Sequence, residues 1–216
     1  MNTKLSTAYF ILIIASFCFG CRGSVTAEKK NNTSASSLSL HFGDEKYVII
    51  DSTESVIRWK GSNTFGSNSH TGYIYISKGE LRFENNQLVG GAVEVDMNTI
   101  EDKAHKSNNE LVDHLKSTDF FDVKKFPFAI IAITKVVSKN AEDKEVTGNL
   151  TMKGITKTVT FPVKIEVKDV IIKANGKLVI DRTEWGILYK SEKLFNLADK
   201  AISDSIKFQI NIVAKK

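Results

Sequence analysis

Cysteine is scarce in this chain, and its placement excludes more than its number. Only Cys18 and Cys21 occur, both near the N-terminus. The body therefore has no disulfide framework and no thiolate metal site. Proline is nearly absent, at two residues, and together with 13 glycines it rules out a collagen-like or proline-rich body. The four histidines, His41, His70, His105 and His114, never fall at H-x-H or H-E-x-x-H spacing. No metal site is expected from them. There is no G-x-S-x-G, no P-loop and no G-x-G-x-x-G, and nothing sets a nucleophile beside a base. The chain is therefore not expected to be an enzyme, and no cofactor is expected. Single-sign charge is missing too. The net charge is +5, and loss of Lys4 with a leader ending before Cys21 leaves 5 − 1 = +4. The lysines are spread among acids along many segments. That is a solvated face, whereas a nucleic-acid footprint needs a clustered patch.

Long apolar runs are lacking as well, with one exception. Residues 8–19 are apolar, follow the single charge of Lys4, and are too short to span a bilayer as a stable helix. Gly20-Cys21 and polar sequence come next, the layout of an export signal. The C-x-x-C spacing of Cys18 and Cys21 lies in this apolar leader and not beside a βαβ pattern, so a redox motif is not inferred. The stretch resembles a bacterial lipoprotein signal, in which a small residue precedes a cysteine that is lipidated. Gly20 fits that role, bulky Phe17 argues against Cys18, and Cys21 is the expected lipidation site. An ordinary cleaved signal is the alternative. The expected organisation is a signal peptide at 1–20, a lipidated cysteine and polar tether at 21–45, and one folded domain at 46–216. The expected location is the bacterial cell envelope, anchored to a membrane and facing the periplasm.

What is present is alternation. In residues 159–167 every odd position is apolar, from Val159 through Phe161, Val163 and Ile165 to Val167. Residues 146–152 and 170–180 alternate on even positions, and Ile206, Phe208, Ile210 and Ile212 share one face of the last segment. Period-2 patterns mean sheets with one dry and one wet face, so the fold is expected to be mainly β, an antiparallel barrel or sandwich of eight to ten strands. Turns are expected at 78–79, 84–87 and 153–154, and a bend at Gly90-Gly91. Pro162, inside the cleanest strand, predicts an edge, a bulge or a backbone nitrogen turned away from the ladder.

One insert interrupts the strands. Residues 110–116 suit a short helix with Leu111, Val112 and Leu115 on one side and Ser107, Asn108 or Asn109 as cap. An aromatic knot follows. Asp113, Asp119 and Asp122 are expected either to bond backbone around the insert or to hold a ligand's polar head. A second irregular stretch, residues 181–205, is rich in apolar side chains, including Phe195 and Leu197, and suits a lid or mouth. An eight-stranded barrel has room for filling side chains or for one small ligand. Since the inward positions are almost all apolar, so is any ligand. Candidate lining residues are Trp59, Ile74 and Phe83 in the first strands and Phe120, Phe121, Phe126 and Phe128 in the knot. Phe161, Leu178, Trp185, Leu188 and Phe208 complete the set from the last third. Whether the aromatic knot plugs the core or lines a cavity is open.

Several segments carry a family resemblance: residues 47–61 (YVIIDSTESVIRWKG), 72–100, 113–131 (DHLKSTDFFDVKKFPFAII), 146–163 (VTGNLTMKGITKTVTFPV) and 180–187 (IDRTEWGI). Together they resemble the YceI-like family of bacterial periplasmic proteins, over about residues 46–214. The resemblance implies a lipocalin-like antiparallel barrel of about eight strands with a small helical insert. It also implies a long polyisoprenoid or isoprenoid quinone-like lipid as ligand, no catalysis and no metal. Trp185 stands where the family more often has Phe, and is expected to narrow the mouth. The expected function is that of an envelope lipid carrier or reservoir, with a homodimer left open. The alternative is a stress-response or structural domain whose barrel is filled and whose surface binds a protein.

Overall fold

The computed structural model describes residues 38–65, 68–103, 110–194 and 201–215. Cys21, the leader, most of the expected tether, His105, the three candidate helix caps, Phe195 and Leu197 lie outside the described residues. The elements are β1 (Tyr47–Ile49), β2 (Val56–Ser62), β3 (Ser69–Glu84), β4 (Gln87–Asp102), α1 (Glu110–Lys116), β5 (Phe128–Ser138), β6 (Asp143–Met152), β7 (Ile155–Lys168), β8 (Ile171–Asp181) and β9 (Ser205–Lys215). All pairings between these strands are antiparallel. The ring runs β2-β3-β4-β5-β6-β7-β8-β9 and back to β2, a closed eight-stranded barrel with one short helix.

β1 adds no ninth stave. It pairs with the far half of β3 while Ile50 bridges to Ala214 of β9, so it prolongs the place of β2. Between β1 and β2 the chain steps aside. Ser55 replaces the missing ladder there: its Oγ accepts from Val213 N at 2.9 Å and donates to Val213 O at 3.3 Å. The same step is clamped from outside, where Lys215 Nζ donates to Asp51 Oδ2 at 2.8 Å and to Glu54 Oε1 at 2.7 Å.

Most turns stand where the sequence places them. Asn85-Asn86 and Lys153-Gly154 take positive φ at both positions, the geometry that matches the twist of a hairpin. The bend in β4 falls at Gly91, with φ +144. Residues 78–79 are a correction. They do not turn, because β3 runs unbroken from Ser69 to Glu84 and a register shift between Ile76 and Lys78 absorbs one extra residue. A bulge keeps the strand in the barrel where a turn would end it.

The end of the expected tether is a second difference. Residues 38–42 lie on the outer face of β3 and β4. Leu38 N donates to Glu94 Oε2 and His41 N to Glu80 Oε2, both at 2.7 Å, and the His41 ring stacks on Tyr47. Both carboxylates point outward yet are buried, and these N–H groups help to satisfy them.

β7 and β8 share only part of their length. Their ladder runs from Val163↔Gly176 to Lys168↔Ile171. Residues 155–162 pair with β6 alone, and residues 177–181 with β9 alone. Pro162 thus stands at the fork, on an edge as expected. The 3-10 turn Arg182–Trp185 folds back onto β7 there, with Gly186 beside Ile155 and with Trp185 and Ile187 fully buried.

Arg182 secures this segment. Its Nε donates to Ser203 O, Nη1 to Ile187 O and Nη2 to Ile202 O, and Nη2 lies 3.1 Å from Asp204 Oδ1. Burial pulls the guanidinium below its ordinary pKa, and Asp204 chiefly opposes that shift. Ser191 Oγ donates to the other Asp204 oxygen at 2.8 Å.

Two outcomes follow. Asp204→Asn leaves a buried cation without its counter-charge. It should cost about 3 kcal/mol, the low end for breaking a buried pair, since Arg182 keeps its three carbonyls. Urea unfolding checks this, and a loss below about 1 kcal/mol contradicts it. The second concerns Asp51, whose carboxyl Lys215 and Thr53 hold far below its ordinary pKa. A carboxyl depressed in the native state stabilises fully above about pH 4, and that stability is lost as the pH falls below it. Asp51→Asn keeps the turn acceptor but not the charge. Its melting temperature should lie below the parent's near about pH 7, and the gap should shrink steadily as the pH falls below about 4.

Candidate functional site

The end of the barrel that carries α1, here the helix end, holds a cavity of about 440 Å3. That is a usual size for a small-molecule site. Alternation delivers its walls. β2 contributes Ile57 and Trp59, and β9 contributes Ile206, Phe208 and Ile210. Leu178 of β8, Leu150 and Met152 of β6, and Ala129 and Ile131 of β5 continue the ring. Ile74 of β3 and Val95 and Met97 of β4 close it. The insert supplies the remaining wall through Leu111 and Leu115 of α1 and through Phe120 and Phe121.

Polar groups gather at one place on this surface. Ser62, Asn63, Asn68 and His70, from the β2–β3 connection, meet Ser203 from the approach to β9. Asn68 and His70 are exposed, so the cavity reaches solvent there. Three short segments form this lip. Asn63 bridges to Ile202, Ser191 bridges to the same residue, and Ser203 N donates to Ser62 O at 2.9 Å. Arg182 also lines the cavity. Its charge is answered by Asp204, and each guanidinium nitrogen already donates to a carbonyl. Among the described residues it is the one cation on the lining, so a charged ligand head finds no uncommitted counter-ion. Trp59 presents only its apolar surface, because Nε1 donates to Glu101 O at 3.2 Å.

Much of the opposite half of the barrel is packed. Val146, Ile172 and Ala214 are at most 1% exposed, and Phe83, Phe161, Val163 and Ile165 are buried with them. A second, open recess of about 420 Å3 lies at that end, lined by Phe83, Leu88, Lys144 and Ile165 among others, whereas the apolar cavity lies at the helix end.

Of the sequence candidates, Trp59, Ile74, Phe120, Phe121, Leu178 and Phe208 come together on the cavity wall. The other six do not line it. Phe83 and Phe161 point inward but lie in the packed half. Phe126 lies against the Gly154 turn, with Lys125 Nζ 5.0 Å from its ring centroid. Phe128 opens β5 on the parity opposite to Ala129 and Ile131, and is half-buried. Trp185, expected at the mouth, is instead fully buried with Nε1 donating to Leu150 O at 3.2 Å. Leu188 is half exposed on the surface. Asp119 and the backbone of Asp122 bond within the insert. Asp122 takes φ 49 and its carbonyl accepts from Lys125 N and Phe126 N, while Asp119 Oδ2 lies 3.3 Å from His114 Nε2. The His114 ring meets Phe120 and Tyr189 edge-on at 5.0 and 4.6 Å.

Sequence reasoning missed the polar lip and Arg182, which carry no recognisable spacing. It also left Ile57, Leu150 and Ile210 out of the site, although alternation had already turned Ile210 to the face of Phe208.

Comparison with known proteins agrees with this architecture. A UPF0312 protein of Shewanella denitrificans is 33% identical over 122 residues, covering 53% of this chain and 63% of that protein. A UPF0312 protein of an Enterobacter species is 36% identical over 103 residues, covering 44% and 52%. The matched stretch thus spans between half and two thirds of these relatives. Among solved structures, Burkholderia cenocepacia BcnA superposes with a TM-score of 0.64 at 19% identity, over 77% of this chain and 99% of that one. A mutant CJ YCEI protein with a monobromobimane guest superposes at 0.50 and 22% identity, over 63% and 78%. These likenesses are of fold. The model of the YceI-like domain matches residues 48–214, so the chain belongs to the YceI-like family.

Proposed function

We propose that this protein binds, without catalysis, a lipid whose hydrocarbon tail, isoprenoid or acyl, lies in the cavity at the helix end of the barrel. The observation that carries this reading is an apolar-walled cavity of about 440 Å3 that reaches solvent beside a neutral polar lip. The tail lies among aliphatic and aromatic side chains, and an uncharged polar head lies among Asn63, Asn68, His70 and Ser203. Burial is worth about 0.8 kcal/mol per CH2. A tail of roughly 15 carbons therefore gains about 12 kcal/mol before the cost of association, about 4–15 kcal/mol, is subtracted. The tail has to be long for binding to result, and no charged anchor is needed. A mature protein held at Cys21 on an envelope membrane would serve as a carrier or reservoir of such a lipid.

The test is native mass spectrometry of protein purified from bacteria, with organic extraction of any bound molecule. A stoichiometric neutral lipid is expected. Leu178→Gln and Phe208→Ser place unpaired polar groups on the wall and should each abolish uptake while keeping the parent's β spectrum. His114→Gln should leave uptake unchanged, since that ring is not on the cavity wall. Retained uptake in both wall variants contradicts the reading. So does an empty protein that also refuses added isoprenoid and long-chain alcohols.

A further inference from the structure

The end of the barrel opposite α1 holds a charge that the proposed lipid site does not use. Alternation turns the even positions of β6 inward, and at Lys144 it brings an ammonium to a face that is otherwise apolar or glycine. Lys144 is 6% exposed and stands in register with Val163 of β7. Its Nζ donates to Asn140 O at 2.7 Å and to Ala141 O at 2.9 Å, in the β5–β6 turn. An ammonium has three N–H groups, and among the described residues the third meets no acceptor. No carboxylate among them lies within 4.0 Å of it. The acids nearby are engaged elsewhere. Glu142 and Glu166 both pair with Lys164, at 3.1 and 3.0 Å. Asp143 Oδ2 accepts from Asn140 Nδ2 at 2.8 Å, and Glu145 faces Lys139 at 3.4 Å. A buried charge without a counter-charge is costly, so Lys144 is a cation that the chain itself leaves unanswered.

Lys144 and Ala141 both line the open recess of about 420 Å3 at that end, a usual size for a small-molecule site. Leu88, Ile165 and Val167 give the recess apolar surface, and Gln87 of the β3–β4 hairpin adds an amide. We propose that this recess is a second binding site for a small organic monoanion, with its carboxylate against Lys144 and a compact apolar body against Leu88, Ile165 and Val167. The site is separate from the apolar cavity and does not rest on the lipid-binding reading. One unanswered positive charge matches one negative charge. The carboxylates of Glu142 and Glu166 share the lining, and their repulsion disfavours a dianion such as a phosphate monoester. A neutral molecule of the same shape would leave the ammonium as it is, without a counter-charge.

The test uses the full chain labelled with nitrogen-15 and three probes of one shape, benzoate, benzamide and benzylammonium, followed by backbone amide shifts near about pH 7. Benzoate is expected to shift Gln87, Lys144 and Val167 and to saturate in the range of about 1 mM. Benzamide should bind there at least about tenfold more weakly, since it loses the charge-assisted bond. Benzylammonium should not bind there. Lys144→Gln keeps a donor for the turn carbonyls but removes the charge, and should weaken benzoate by about tenfold or more. Val167 is 52% exposed, so Val167→Glu brings a like charge to the lining without disturbing the core and should also weaken benzoate. If Lys144→Gln fails to keep the native β spectrum, Val167→Glu decides alone. Equal binding of benzoate and benzamide overturns the site, as does unchanged benzoate binding in a folded variant. Benzoate shifts that gather at Leu178 and Phe208 place the acid in the apolar cavity and overturn it too. So does the lack of any saturable shift up to about 20 mM. None of these outcomes bears on lipid uptake, which the wall variants test separately.

Discussion

The buried guanidinium of Arg182 is the constraint on which the hollow end of the barrel depends. It stands where the chain leaves β8. Its donors reach the carbonyls of Ile187, Ile202 and Ser203, so it ties the outgoing segment to the returning one. A cation placed this deep would ordinarily be unaffordable. Here Asp204 faces it at 3.1 Å and three carbonyls accept its N–H hydrogen bonds. Two consequences follow from the same set of bonds. The residues that form the lip, 201–203, are held against the β2–β3 connection. The charge is also answered on the spot, so the cavity it borders remains apolar in effect. An isolated arginine there would instead have recruited an anion.

The second constraint is the fork between β7 and β8. An eight-stranded barrel closes around a volume that side chains just fill. In the far half this is what happens, with Val146, Ile172 and Ala214 almost fully excluded from solvent. Past Val163 and Gly176 the two strands no longer share a ladder, and the ring of hydrogen bonds is interrupted. Proline at 162 suits that position, because it has no N–H to offer a partner. The 3-10 turn with Trp185 and Ile187 packs against β7 there. The wall is then completed by a turn and a helical insert as well as by strands. The cavity lies at this end, where α1, Arg182 and residues 201–203 share its lining with the strands.

How much of this was legible in the sequence differs by level. Strand faces were, because alternation in residues 159–167 and 206–212 has one reading. The helix was, since Leu111 and Leu115 share a side and both reach the cavity. Height along the barrel was not. Phe161 and Leu178 alternate inward with equal clarity, yet Leu178 lines the cavity and Phe161 is buried away from it. Nothing in a period of two records which register layer a residue joins. In β5, residues 129–133 are apolar on both parities, so the outward position of Phe128 had no signal. The Lys78-Gly79 pair looked like a turn because single-sequence turn chemistry cannot tell a bulge from a reversal. Trp185 reads as part of the mouth because it stands in the irregular, apolar-rich stretch 181–205 where the family more often has Phe. Its N–H partner on β6 is 35 residues distant in sequence. The family resemblance supplied the barrel, but it could not supply which inward residues line the cavity and which pack away from it.

Under the proposed function, the polar lip beside the exposed Asn68 and His70 shapes how the protein exchanges its ligand. Tail carbons enter first and leave last, with the head at the lip throughout. Leaving into water would re-expose the whole tail, about 12 kcal/mol for roughly 15 carbons. Spontaneous release into solvent is then slow whatever the affinity for the head. Release becomes fast only when an apolar phase stands at the lip, so that each methylene passes from wall to acceptor without a water shell. Phe65 follows directly on the lip residues 62–64, and Leu188 and Leu194 flank Ser191. They are among the most exposed large apolar side chains described, at 68%, 50% and 64%. Under the proposed function, one-ended burial therefore makes transfer conditional on contact at the helix end, and it does so without any moving part.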